Sequence, residues 1–185
     1  MEHLRSASIN AGLNEDEDAL LAACRSDPAA FTRLYHRYLN RVYRYLYWRV
    51  GEKAVAEDLT SQVFLAALEN LPRYRHQGNF VAWLFAIARR KAADHFRWQR
   101  GQVSLETLED SLAGEGDPLP QVIAEEELKG LEQAIASLGA AEQELLRLRF
   151  AAELSFDEIA TLLKRRPAAV KMQLYRLLNR LAKHI

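Results

Sequence analysis

GNFVAWLFAIARRKAADHFRWQR, residues 78–100, is the stretch from which the rest of the chain can be read. At helical period Phe80, Leu84, Ile87 and Ala88 fall on one side, continued by His95 or Trp98. Asn79 precedes the first apolar residue and suits an N-cap, because its side-chain oxygen can accept from an orphan amide of the first turn. The other side carries Arg89, Arg90, Lys91, Arg97 and Arg100, with Trp83, Phe85, Phe96 and Trp98 interleaved. Cations pair with phosphates and rings stack on bases, so such a helix suits a nucleic-acid strand. A buried helix whose arginines snorkel to water around an aromatic core accounts for the same residues. The neighbouring sequence has to decide.

Upstream, Asp27-Pro28 marks a helix start, with Asp as N-cap and Pro at the first helical position. That helix is predicted to run to about Val50, with Phe31, Leu34, Tyr35, Tyr38, Leu39, Val42, Tyr45 and Leu46 as a stripe wide enough for two neighbours. Gly51 ends it. Residues 51–72 supply the next helix, with Val55, Leu59, Val63 and Ala66 on one side and Phe64 and Leu68 beside it. Glu57 and Asp58 lie toward its N-terminal end, where the helix dipole favours negative charge. They would equally serve as an acidic docking patch on a basic module. Pro72 stops the helix, and the loop before residue 80 gathers Tyr74, Arg75, His76, Gln77 and Asn79 around Gly78. A ring with amide and imidazole groups can take an extruded base, although composition alone favours a polar turn. Before all this, Asn14 and Glu17 form a capping-box pair for a short helix to about Arg25, and residues 1–13 read as a disordered tail.

Downstream the pattern lapses. Residues 101–120, GQVSLETLEDSLAGEGDPLP, hold glycines, prolines and acids and read as a linker. Two amphipathic helices follow from Gln121. Then comes LSFDEIATLLKRRPAAVKMQLYRLLNRLAKHI, residues 154–185. Ser155 and Glu158 form a capping box, Lys164, Arg165 and Arg166 occupy a turn, and Pro167 opens a last helix. Val170, Leu174, Leu177, Leu178 and Leu181 recur at helical spacing. Lys171, Met172, Gln173, Tyr175, Arg176 and Asn179 are left outward. This is a helix-turn-helix pattern, and from Lys164 onward there are seven basic residues and no acid. A helix entering a major groove needs that balance; an ordinary helical hairpin with a solvated basic face is the structural alternative.

Composition separates these blocks by charge. The net charge of zero is the sum of about −4 over residues 1–27, +8 over 28–100, −7 over 101–130 and +3 over 131–185. Two basic modules joined by an acidic connector suit a polyanion partner. No run approaches a membrane span, no apolar leader opens the chain, and the single cysteine, Cys24, excludes an internal disulfide. The expectation is a cytoplasmic, all-α protein of two small helical domains, 14–100 and 121–185, with no membrane insertion. Scattered histidines, without a metal-spaced cluster, a phosphate-binding glycine loop or a nucleophile with its base, give no sign of an enzyme or a cofactor.

In both modules together, the chain resembles the extracytoplasmic-function group of bacterial sigma factors. In the first module the resemblance rests on DPAAFTRLYHRY, AEDLTSQVFLAALENLPRYR and FVAWLFAIARRKAADHFR; in the second it rests on LRFAAELSFDEIATLL and AAVKMQLYRLLNRL. It implies a promoter-recognition subunit that binds the two largest subunits of core RNA polymerase and promoter DNA, with an anti-sigma factor as a further kind of partner. The first module would be sigma region 2, melting and reading the minus-ten element. The second would be region 4, reading the minus-thirty-five element as duplex. By position, Glu57, Asp58 and Gln62 would contact the polymerase clamp. Tyr74, Arg75, His76, Gln77, Asn79 and Phe80 would capture a flipped base, and Arg89, Arg90 and Asp94 would read the single strand. Arg166, Lys171, Met172, Tyr175 and Arg176 would meet the upstream element. Three residues depart from the family's habit: Ser61-Gln62 stands where Gln-Glu is common, Arg90 where Asn is common, and Met172 where a small hydroxyl residue is common. The binding-class rival is a one-component regulator that uses the terminal helix-turn-helix alone; it predicts a palindromic site bound without polymerase.

Overall fold

The computed structural model describes residues 17–24, 27–74, 79–103 and 133–182, and among them there is no strand. Helix α1 covers 17–23. It is followed by α2 (Pro28–Val50), α3 (Lys53–Asn70), a single 3-10 turn (Leu71–Arg73) and α4 (Phe80–Val103). After residue 132 come α5 (133–136), α6 (Ala140–Leu146), a π-helical turn (Arg147–Ala151), α7 (Phe156–Leu163) and α8 (Pro167–Leu181). The acidic stretch, Asn14 of the expected capping box and the loop residues Arg75, His76 and Gln77 lie outside the described residues.

The helix ends follow from local chemistry. Asp27 is extended, and its carboxylate accepts from Ala29 N–H at 2.9 Å, with Pro28 opening α2. Gly51 closes α2 at φ 75°, the left-handed region that glycine enters without a Cβ penalty. Asn79 Oδ1 accepts from Ala82 N–H at 2.9 Å and so starts α4. Ser155 and Glu158 exchange their reciprocal bonds, 3.2 and 2.6 Å, at the head of α7. Helix α4 continues three residues past the expected end at Arg100.

Helices α2, α3 and α4 pack on one another. Leu34, Val42, Tyr45 and Leu46 meet Leu59, Val63 and Ala67 from α3 and Leu84, Phe85 and Ala88 from α4, all buried. Each of the valine, leucine and phenylalanine side chains contributes about 1.5–3 kcal/mol by leaving water. The Tyr45 ring stands edge-on to Phe85, with centroids 5.5 Å apart. In the second module Leu145, Leu148, Leu154, Ile159, Val170, Leu174 and Leu177 form the core between α6, α7 and α8.

Three readings of the sequence are corrected here. Phe85, expected among the arginines of α4, is fully buried; α4 is covered by α2, α3 and α7, so its apolar arc is wider than one stripe. The buried face of α3 is Ala56, Leu59, Thr60, Val63, Phe64 and Ala67, whereas Leu68 is exposed. The apolar residues of α3 surround most of the helix, so packing rather than periodicity fixes which of them turn inward. Finally, α3 begins at Lys53 and has no acid in its first turn. The dipole effect fades within that turn, so it gives little account of Glu57 and Asp58.

Candidate nucleic-acid interface

Helix α8 rests on Val170, Leu174, Leu177 and Leu181, all buried. That spacing forces the intervening positions outward, and Lys171, Met172, Tyr175 and Arg176 are all exposed, as is Arg166 before the helix. Lys171 lies 5.9 Å from the Tyr175 ring centroid. Leu178, expected inward, is half-buried, and Gln173 is half-buried with its carbonyl accepting from Arg165 at 2.7 Å. Lys164 takes the left-handed conformation at the end of α7 (φ 54°) and turns the chain into α8. An exposed, acid-free face on a rigid helix can pair with phosphates and reach base edges.

At the head of α4 the aromatic residues form a group. Tyr74 is half-buried, with its ring 4.8 Å from Trp83 and 5.8 Å from Phe80 between centroids. Burial holds the Tyr74 hydroxyl above its ordinary value, helped by the charges of Glu17 and Asp18. Phe80 itself is buried and tilted against Tyr38, so its ring belongs to the core. Asn79 uses its oxygen as the N-cap, leaving its amide nitrogen for other partners. Tyr74, Asn79 and Trp83, together with Arg73, Ala82 and Ala86, line one wall of a cleft of about 420 Å³. The opposite wall is Thr161, Leu162 and Lys164 of the second module.

Asp58 and Gln62 of the expected clamp-docking set meet Asp94 of the strand-reading set in a second place. Asp58, Leu59 and Gln62 of α3 share a groove of about 340 Å³ with Lys91, Asp94, His95 and Trp98 of α4. Asp58 accepts from Gln62 Nε2 at 2.7 Å, while Glu57 lies 3.9 Å from Lys53. Asp94 pairs with Arg97 and lies 3.9 Å from Arg90. The groove therefore brings Asp94 to Asp58, whereas Arg90 points to solvent with 84% of its side chain accessible. Leu65 and Leu68 are exposed on α3, C-terminal to Asp58 and Gln62. Leu65, at i+3 from Gln62 and i+7 from Asp58, extends that face with apolar surface, and that spacing was the available signal.

Arg89 is not at a free surface. Its Nε donates to Glu144 Oε1 of α6 at 2.8 Å. Glu144 is buried and also accepts from the Tyr45 hydroxyl at 2.8 Å and from Arg49 at 2.5 Å. Burial, seconded by the Glu144 charge, holds the Tyr45 hydroxyl well above its ordinary range. Burial also lowers Arg147 next to this cluster; Glu144 opposes that shift and Arg49 adds to it. Among the described residues no group of His, Cys, Asp and Glu could hold a metal ion, and no helix is long and apolar enough to cross a membrane.

Residues 34–102 match the family model for sigma-70 region 2, and residues 128–181 match that for sigma-70 region 4. The chain is 41% identical over 157 residues to the extracytoplasmic-function RNA polymerase sigma factor BldN of Streptomyces coelicolor, covering 83% of this chain and 60% of that longer protein. It is 31% identical to the extracytoplasmic-function RNA polymerase sigma factor SigD of Mycobacterium tuberculosis, covering 91% of this chain and 83% of that protein. Among solved structures, the sigma factor RpoE of Bartonella quintana in complex with the anti-sigma factor NepR shares the fold. Its TM-score is 0.64 at 20% identity, over 83% of this chain and 95% of that one.

Proposed function

Because this chain belongs to the extracytoplasmic-function family of RNA polymerase sigma factors, we propose that it binds core polymerase and directs promoter recognition and melting with its two modules in separate roles. Residues 14–100 act as region 2 and residues 121–185 as region 4, with 101–120 between them. The exposed basic face of α8, carrying Lys171, Met172, Tyr175 and Arg176 on a buried leucine ridge, is the observation that supports duplex reading. Region 2 supplies the Tyr74–Trp83 ring pair and the α4 arginines for parted DNA. Asp58, Gln62, Leu65 and Leu68 form a mixed polar and apolar face suited to polymerase. The chemistry is binding and strand separation, with no catalytic step of its own, and the compartment is the cytoplasm, where polymerase works. An anti-sigma factor is the natural partner for holding such a protein inactive.

In vitro transcription with core polymerase on a genomic promoter library tests this. New start sites are expected only when the chain is added, and an unchanged start-site profile overturns the reading. A one-component regulator would instead shift a palindromic duplex in the absence of polymerase.

A further inference from the structure

The short helix α1 brings carboxylates to the ring group at the head of α4. Leu21 is buried against the first module, with Leu20 and Cys24 packed beside it, so α1 is fixed in place. Glu17, at its start, is buried and accepts from the Tyr38 hydroxyl. The Tyr38 ring lies 5.6 Å from Phe80, and Phe80 lies 5.8 Å from Tyr74 and 5.4 Å from Trp83 between centroids. A chain of touching rings thus joins Glu17 to the pair proposed to receive a base. Burial is the first cause that raises the Tyr74 hydroxyl, and the charges of Glu17 and Asp18 are the next. In sequence these two acids close the run Glu15-Asp16-Glu17-Asp18.

A buried hydroxyl needs an acceptor, and a neutral amide oxygen supplies one without taking a charge out of water. The bond from Tyr38 therefore accounts for an acceptor at position 17 and leaves its charge unexplained. Carboxylates beside a polyanion site oppose binding by Coulomb repulsion, except for the part of the polyanion that bears no charge. From this placement, and resting on the sigma-factor reading, we infer that Glu17 and Asp18 are specificity-determining residues: they form a charge filter on the strand-capture site that admits a base and rejects a phosphate. A nucleotide can reach Tyr74 and Trp83 base-first or backbone-first. Base-first, a neutral ring stacks on the aromatic residues. Backbone-first, a phosphate meets two carboxylates. The cations of α4 attract a strand of any sequence, and the acids of α1 restore discrimination where a base is to be recognised.

The test uses holoenzyme assembled from core polymerase and the full chain, with two single-stranded oligodeoxynucleotides of equal length. One carries the minus-ten strand of a promoter found with the transcription library, and the other has mixed sequence. Asp18→Asn and Glu17→Gln, the latter keeping an acceptor for Tyr38, should each tighten the mixed-sequence strand about threefold at low salt. Affinity for the minus-ten strand should stay unchanged. The gain should fade as salt rises, because the screening length falls from about 30 Å at about 0.01 M to about 8 Å at about 0.15 M. Should Glu17→Gln lower the urea midpoint, Asp18→Asn carries the decision, since Asp18 is exposed. The inference is overturned if the folded variants bind the mixed-sequence strand no more tightly, if both strands gain equally, or if the gain ignores salt. Each of these results, with the preference of the parent holoenzyme for the minus-ten strand intact, sinks the inference alone. A parent that shows no such preference sinks the sigma-factor reading and the inference with it.

Discussion

Arg176 is exposed in the middle of α8, between the buried Leu174 and Leu177. Arg176→Ala should therefore leave folding unchanged while removing about 1–3 kcal/mol of upstream-element recognition. Transcription from a promoter with a strong minus-thirty-five element should fall by that factor, and an unaffected promoter would exclude the placement. Asp58 makes the opposite case on α3: its hydrogen-bond partner is Gln62 on the same helix, and no ion pair among the described residues engages its charge. Asp58→Arg should weaken core-polymerase binding roughly tenfold, about 1.4 kcal/mol, with the urea midpoint unmoved. Side-chain placement was legible in part. The exposure of Lys171, Met172, Tyr175 and Arg176 follows from the leucine spacing of their own helix. The commitment of Arg89 to Glu144 is set by a residue 55 positions away, and no local pattern carries it.

At the scale of elements, the ends of helices were the most readable features, because each cap is chemistry within a few residues. Gly51 illustrates this. Its φ is 75° and a Cβ added there would meet nothing within 4 Å, so Gly51→Ala should cost only backbone strain, about 1–2 kcal/mol. Chemical denaturation measures it, and a variant as stable as the parent would show that the turn relaxes. Faces were less readable than ends. The stripe of α8 was legible because its outward side is polar. That of α3 was not, because Val55, Phe64, Leu65, Ala66 and Leu68 leave the phase to be chosen by packing against α2 and α4. Nor does the sequence announce that α6 passes into a π-helical turn at Arg147–Ala151. There Ala152 N–H bonds the carbonyl of Arg147 at 2.9 Å, and Arg41 takes up the carbonyl of Ala152.

For the molecule as a whole, the joint between modules should respond to pH through Tyr45. Its folded-state value lies above the ordinary 10.0, so the stability it supplies is complete below pH 10 and is lost as pH rises beyond it. Urea denaturation of the full chain, followed from about pH 8 to about pH 11, should show stability falling at the alkaline end. Tyr45→Phe should flatten that dependence, because the titrating hydroxyl is gone while the ring still packs on Phe85; an equally steep profile in Tyr45→Phe would assign the transition to other tyrosines. The sequence by itself determined the all-helical class, the two basic blocks and the exposed basic face of α8, because periodicity, caps and charge runs are properties of neighbouring residues. Only the tertiary structure decided that Phe85 belongs to the core, that Asp94 shares a groove with Asp58, and that Glu144 holds Arg89. Those outcomes depend on which surfaces distant segments bury against one another, and burial is settled by the whole chain at once.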